Sequence, residues 1–222
     1  MCFSEQTSLT LSIIGILLSA YRIYYKYPMV AIVPAVFYTC MEITQYCQYK
    51  VIDKCDSKIN QNLTKFTWLL EWIQPLMWNI LYYNITTSNK GVFVFTITLS
   101  LIVFITGLLR VFNTSTKKSV THELQVKGRN CALTGKKHLI WNNNAQTYYG
   151  LEPNWFICLL AWFLPMLWIR PIKHSITTLV GTLLGFILTY FIIGQKWNDE
   201  FASTWCLISL PGVLLGEVYY IK

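Results

Sequence analysis

Charge is what this sequence has least of. Only 13% of its 222 residues are Asp, Glu, Lys or Arg, about half of what a soluble domain carries. So few charges cannot cover a globular surface in water, which excludes an ordinary soluble domain, a disordered chain and a coiled coil. Histidine is scarce: His122, His138 and His174 are the three, and all lie outside or at the ends of the apolar runs, which argues against a membrane hydrolase with a multi-histidine metal centre. No Walker A, G-x-S-x-G or H-E-x-x-H sequence occurs, so the common nucleotide, serine and zinc chemistries lack their signatures. A removable signal needs a basic n-region, and Glu5 stands there instead, with no small-residue cleavage site after the first apolar run. That run is expected to stay in the protein.

What the chain has is apolar length. Hydrophobic residues make up 54% and aromatics 16%, and a helix crossing about 30 Å of hydrocarbon needs roughly 20 mostly apolar residues. Seven segments qualify, near 8–25, 29–49, 65–85, 91–112, 153–170, 174–195 and 201–221. Their ends carry helix-stopping or polar residues such as Pro28, Asn89, Pro153, Pro171 and Asn198, and Tyr and Trp gather there, as rings that favour the headgroup layer do. The runs are continuous rather than alternating, unlike barrel strands. The expected fold is all-α: one integral membrane domain, residues 1–222, of seven transmembrane helices with the lipid bilayer as its first partner.

Orientation is read from basic residues. The loops on the N-terminal side hold 12 Lys and Arg and the other side 6, so the positive-inside bias puts the N-terminus in the cytoplasm. The net charge of +8 fits that bias and contact with anionic lipid; no adjacent fold presents these residues to nucleic acid. Of the sequons at Asn62, Asn84 and Asn113, only Asn84 would then face outward, too near the membrane for a good acceptor.

Two runs carry polar groups into the hydrocarbon. Glu42-Ile43-Thr44-Gln45 lies in the second and Glu71-Trp72-Ile73-Gln74 in the third. Each sets an acid and an amide at i, i+3, on one helix face. The second run ends, and the third begins, on the N-terminal side, so both acids sit about 9–11 Å below the same surface. Consecutive helices are usually neighbours, and the two pairs are expected to converge. Charge inside a span is expensive and usually has a role; two acids sharing a site can hold a proton, or a cation that replaces it. Asn79 continues this face deeper, beside Pro75. The competing reading is an interhelical hydrogen-bond clamp.

The remaining long feature is the loop 113–152, expected to fold in its second half as a cap on the N-terminal-side face. Cys2, Cys55, Cys131 and His138 all fall on that side. Cys55 and Cys131 would form a disulfide if the side is oxidising; a zinc site with His138 would suit a reducing one, without C-x₂-C spacing to support it; free thiols are the third reading.

Seven spans first suggest the microbial rhodopsins, whose retinal is carried by a lysine within the seventh span. Here no lysine lies between Lys196 and Lys222, which argues against retinal, and no cofactor is implied. The chain more closely resembles an uncharacterised multi-span family met in giant DNA viruses and some microbes. The residues that carry the resemblance are Met1-Cys2-Phe3-Ser4, Glu42-Ile43-Thr44-Gln45-Tyr46, Cys55, Gln74-Pro75 and Gly135-Lys136-Lys137-His138-Leu139-Ile140-Trp141. It implies a viral or host membrane and no particular activity. It directs attention to Cys2, Glu42, Gln45, Gln74 and His138.

Three functions are therefore carried forward. The first is a channel or carrier binding a proton or small cation at Glu42, Gln45, Glu71, Gln74 and Asn79, with 131–150 as lid. The second is a receptor-like or structural membrane protein whose polar groups only set packing. The third is a membrane enzyme or redox protein using Cys2, Cys55, Cys131 and His138. A homo-oligomer is compatible with each.

Overall fold

The structure, a computed structural model, describes residues 4–87, 90–112, 130–135, 137–142, 157, 159–193, 203–206 and 208–210. The chain is mostly helical, and four helices are long and apolar enough to cross a membrane by length and composition: Glu5–Tyr24, Met29–Tyr49, Lys90–Leu109 and Ile172–Ile192. The chain divides into two compact units, one of residues 1–67, 130–142 and 181–222 and the other of 68–129 and 143–180.

In the first unit, α1 (Glu5–Tyr24) begins three residues before the expected run because Ser4 caps it, its hydroxyl accepting from the Thr7 N–H. Pro28, in extended backbone, precedes α2 (Met29–Tyr49). The buried residues of α1 are Ser8, Ser12, Gly15, Ser19 and Arg22, recurring at helical spacing, while Ile13, Ile16, Leu17 and Ile23 point outward. This inverts the soluble pattern. Four small residues and Arg22 are buried and large apolar side chains face the surroundings, a pattern common where helices pack closely through small residues. At Gly15 a Cβ would stand 2.3 Å from the Thr39 hydroxyl, so only glycine lets α1 and α2 approach this closely. The two run antiparallel, and Glu5 meets Lys50 in an ion pair at one end.

α3 (Lys58–Ile85) starts seven residues earlier than the apolar run, and its first turns belong to the first unit. Its polar side chains keep it outside the four most apolar helices. The rest of α3 joins α4 (Lys90–Phe112) in the second unit, around Trp68, Tyr82, Phe93 and Met166.

The fifth run departs from expectation. In place of a continuous helix over 153–170, the described residues form a π-helical turn, Leu159–Phe163, followed by the single turn α5, Leu164–Met166. Pro165 is the cause: it has no N–H to offer the Ala161 carbonyl four residues back. That freed carbonyl accepts instead from Asn79 Nδ2 at 2.6 Å, since a buried carbonyl without its helical donor needs another partner. α6 (Ile172–Ile193) follows, with Val180, Leu184, Ile187 and Phe191 outward. Of the seventh run, 203–206 and 208–210 are helical, and the remainder lies outside the described residues.

Candidate functional site

The site grows out of one face of α2. Glu42, Gln45 and Gln48 are spaced three residues apart, and all three are 0% exposed. Against the C-terminal end of this face sits a hairpin of β1 (Cys131–Thr134) and β2 (Leu139–Asn142), paired antiparallel with Cys131 opposite Asn142.

The free edge of β1 is covered by the loop between α2 and α3. Asp53, held at φ 63°, donates its N–H to the Ala132 carbonyl at 3.0 Å, and its carboxylate accepts from the Thr134 N–H at 2.8 Å and hydroxyl at 2.5 Å. Asn60 Oδ1 accepts from the Ala132 N–H at 2.7 Å, and its Nδ2 donates to the carbonyls of Ala132 and Val51. An edge strand satisfied in this way has no pairing template left open. A disulfide between Cys55 and Cys131, 76 residues apart with Cα atoms at 5.2 Å, fixes the same corner.

From β2 and the preceding turn, two side chains reach α2. Trp141 Nε1 donates to Gln48 Oε1 at 3.0 Å, and Gln48 Nε2 donates to Thr67 Oγ1 at 3.3 Å. His138, itself 0% exposed, lies between Gln45 Oε1 (2.7 Å from Nε2) and Tyr49 Oη (2.8 Å from Nδ1). The proton positions follow from a group with no choice. The Ser203 carbonyl can only accept, so Gln45 turns its amide nitrogen there, at 3.4 Å, and its oxygen toward His138. The ring nitrogen Nε2 must then carry the proton, and Nδ1 accepts from the Tyr49 hydroxyl. Burial pushes His138 down to about 3, the Ser203 backbone opposing it more weakly. The ring is neutral and both nitrogens are engaged.

The sign of the resulting pH effect is fixed. Between the ordinary histidine value near 6.5 and about 3, the unfolded chain binds a proton that the folded chain refuses, so stability falls as pH falls. Above 6.5 the contribution is complete; well below it, about 1.4 kcal/mol is lost per pH unit. Thermal unfolding of the purified protein at stepwise lower pH is expected to show this slope, and His138→Gln to flatten it.

Glu42 differs from its neighbours. Both carboxylate oxygens are buried with no hydrogen-bond partner among the described residues. The Ser8 hydroxyl of α1 is the nearest interacting side chain to this carboxylate, without a well-formed hydrogen bond between them. Thr204, also in the first unit, is buried with its hydroxyl likewise unpartnered.

The residues expected to form one pocket distribute as follows. Glu42 and Gln45 belong to the first unit; Glu71, Gln74 and Asn79 belong to the second. Gln74 is fully buried and Glu71 half-buried. Asn79, expected to extend the ion site, is instead saturated. Besides Ala161 it donates to the Pro75 carbonyl at 2.7 Å and Ser100 Oγ at 3.4 Å, and its oxygen accepts from the Thr96 hydroxyl at 2.6 Å. Cys55 and Cys131 are bonded and His138 is engaged, so neither thiolate nor ring nitrogen is open to a metal, and no group of three or more His, Cys, Asp and Glu with metal-site geometry occurs among the described residues. Cys2 lies outside them. Sequence reasoning passed over Gln48 and Tyr49, although their spacing continues the Glu42–Gln45 face, and Asp53 and Asn60, whose roles depend on a strand 72 or more residues away.

These features define a class: a mostly helical protein with membrane-length apolar helices, a buried acid and a disulfide-anchored cap. The chain belongs to the Family of unknown function (DUF5765), which it matches over residues 6–222. It is also similar to Uncharacterized protein R287 of Acanthamoeba polyphaga mimivirus, 26% identical over 243 aligned positions, gaps included, which cover 99% of this chain and 95% of the relative. No solved structure matches.

Proposed function

We propose that the protein is a seven-span membrane protein that binds or conducts a proton or small cation, with Glu42 as the binding group. The observation that carries this is a pair of fully buried carboxylate oxygens with no hydrogen-bond partner among the described residues. Buried polar groups are nearly always hydrogen-bonded, and each exception calls for a reason. An exchangeable proton or a cation supplies one. Ser8 is placed to turn its hydroxyl to whichever species is held. Gln45 anchors the cap above the acid, and the cap is the lid. Glu71 and Gln74 form the corresponding acid and amide of the second unit.

Purified protein in liposomes loaded with a pH-sensitive dye, with potassium and valinomycin setting the potential, is expected to pass protons. Sodium and potassium gradients test the cation alternative. Glu42→Gln is expected to lower flux at least tenfold and Glu71→Gln to be compared beside it. Equal flux through wild type and the Glu42→Gln, Glu71→Gln double variant overturns the reading.

The second reading, a structural role for the membrane polar groups, is favoured at one place. Asn79 joins α3, α4 and the broken fifth segment with every polar atom engaged, so its work is packing.

A further inference from the structure

The cap poses a question of chemistry that stands apart from ion binding. A disulfide joins Cys55 to Cys131, and disulfides persist where the surroundings are oxidising and rarely in cytosol. The charge count points the other way, but its lead has one source. Lys117, Lys118, Lys127, Arg129, Lys136 and Lys137 all belong to the long loop, and without them the two sides carry six basic residues each. A tie among the remaining loops leaves the disulfide as the stronger indicator. The bond also belongs to a finished structure: Asp53 and Asn60 bracket it with hydrogen bonds to β1 on one side, and Gln61 Nε2 donates to the Cys55 carbonyl at 2.8 Å on the other.

We propose that Cys55 and Cys131 are a site of oxidative modification on the non-cytosolic side of the membrane, so that the cap and the N-terminal end of α1 face an oxidising compartment. α1 is placed there by its antiparallel pairing with α2, which brings Glu5 to Lys50. The oxidant is of the class of thiol oxidases that carry a reactive disulfide. Cys55, half-buried, is the cysteine such a protein reaches; Cys131 is 0% exposed. The Cys55 thiolate attacks the oxidase disulfide and expels one oxidase thiolate, giving a mixed disulfide. The Cys131 thiolate then attacks Cys55 Sγ and expels the other. Two electrons and two protons leave the chain, and the oxidase departs as a dithiol.

The full chain translated into sealed microsomes tests the proposal. Gln125→Asn with Lys127→Thr creates an Asn-Val-Thr acceptor inside the loop; a second version carries an acceptor after Lys222. The loop acceptor is expected to gain a glycan removable by endoglycosidase, beyond any on the unchanged chain. A glycan on the C-terminal acceptor alone overturns the proposal. Should neither be modified, a variant keeping Cys55 as its one cysteine decides: labelling by an impermeant maleimide only after permeabilisation supports the proposal, and labelling in sealed vesicles overturns it. The order of bond formation has its own readout. Cys131→Ser is expected to trap a mixed disulfide through Cys55, and a mixed disulfide trapped only in Cys55→Ser reverses the order.

Discussion

Glu42→Leu is expected to make the protein more stable, by about 1–3 kcal/mol, while removing its flux. The reasoning runs from the unpartnered oxygens. A buried polar group without a hydrogen bond carries its full desolvation penalty, about 1–3 kcal/mol, and carries more if charged. Leucine has no polar atom to leave unsatisfied and is larger than glutamate by about one methylene, so the change leaves no cavity and the gain is reduced by whatever repacking it needs. A residue whose replacement stabilises the fold is retained for something other than the fold. Thermal unfolding in detergent, read beside the liposome assay, checks both halves. A fall in stability of the same size shows that Glu42 is a packing group, and the ion-binding proposal then fails even if the variant conducts poorly.

Asn79→Leu is expected to do the opposite: a loss of about 2–3 kcal/mol with no specific effect on ion selectivity. A single interhelical hydrogen bond within a membrane protein contributes on average about 0.6 kcal/mol, because the unfolded segments find other partners. Asn79 is connected to four groups, and one of them is the Ala161 carbonyl, for which Pro165 leaves no helical donor. Leucine would strand that carbonyl and leave the Thr96 hydroxyl with only its bond to the Phe93 carbonyl at 3.2 Å. Pro165→Ala in the Asn79→Leu background is expected to restore part of the loss, since an N–H at 165 can reach Ala161 again. Melting temperatures of the two single variants and the double variant give the coupling directly. Additivity would mean that the broken segment does not depend on Asn79.

The two asparagine and glutamate predictions mark where sequence reasoning stops. Both residues read alike in the chain: a polar group within an apolar run, at helical spacing from another polar group. Hydropathy marks the four helices of membrane length, and α2 begins directly after Pro28, over the expected 29–49. The inward stripe of α1, four small residues and Arg22, recurs at spacings of three and four but emerged only from the structure. The hairpin was harder, because its strands are four residues each and too short to show a period. Its seat depends on Asp53 and Asn60, which are ordinary loop and helix residues until Ala132 and Thr134 arrive. The interruption around Pro165 was visible as a proline; the π-helical turn and its Asn79 partner were not.

By itself the sequence determined that this chain is mostly helical with apolar helices of membrane length, and on which helix faces its few polar groups lie. Those are properties of composition and period, summed along neighbouring residues. Only the tertiary structure decided which of those groups are satisfied. It bonded Cys55 to Cys131, closed His138 between Gln45 and Tyr49, saturated Asn79, and left both oxygens of Glu42 without a partner among the described residues. Hydrogen-bond satisfaction is a property of pairs brought together across many residues of intervening chain, so it comes into being only when the chain is folded.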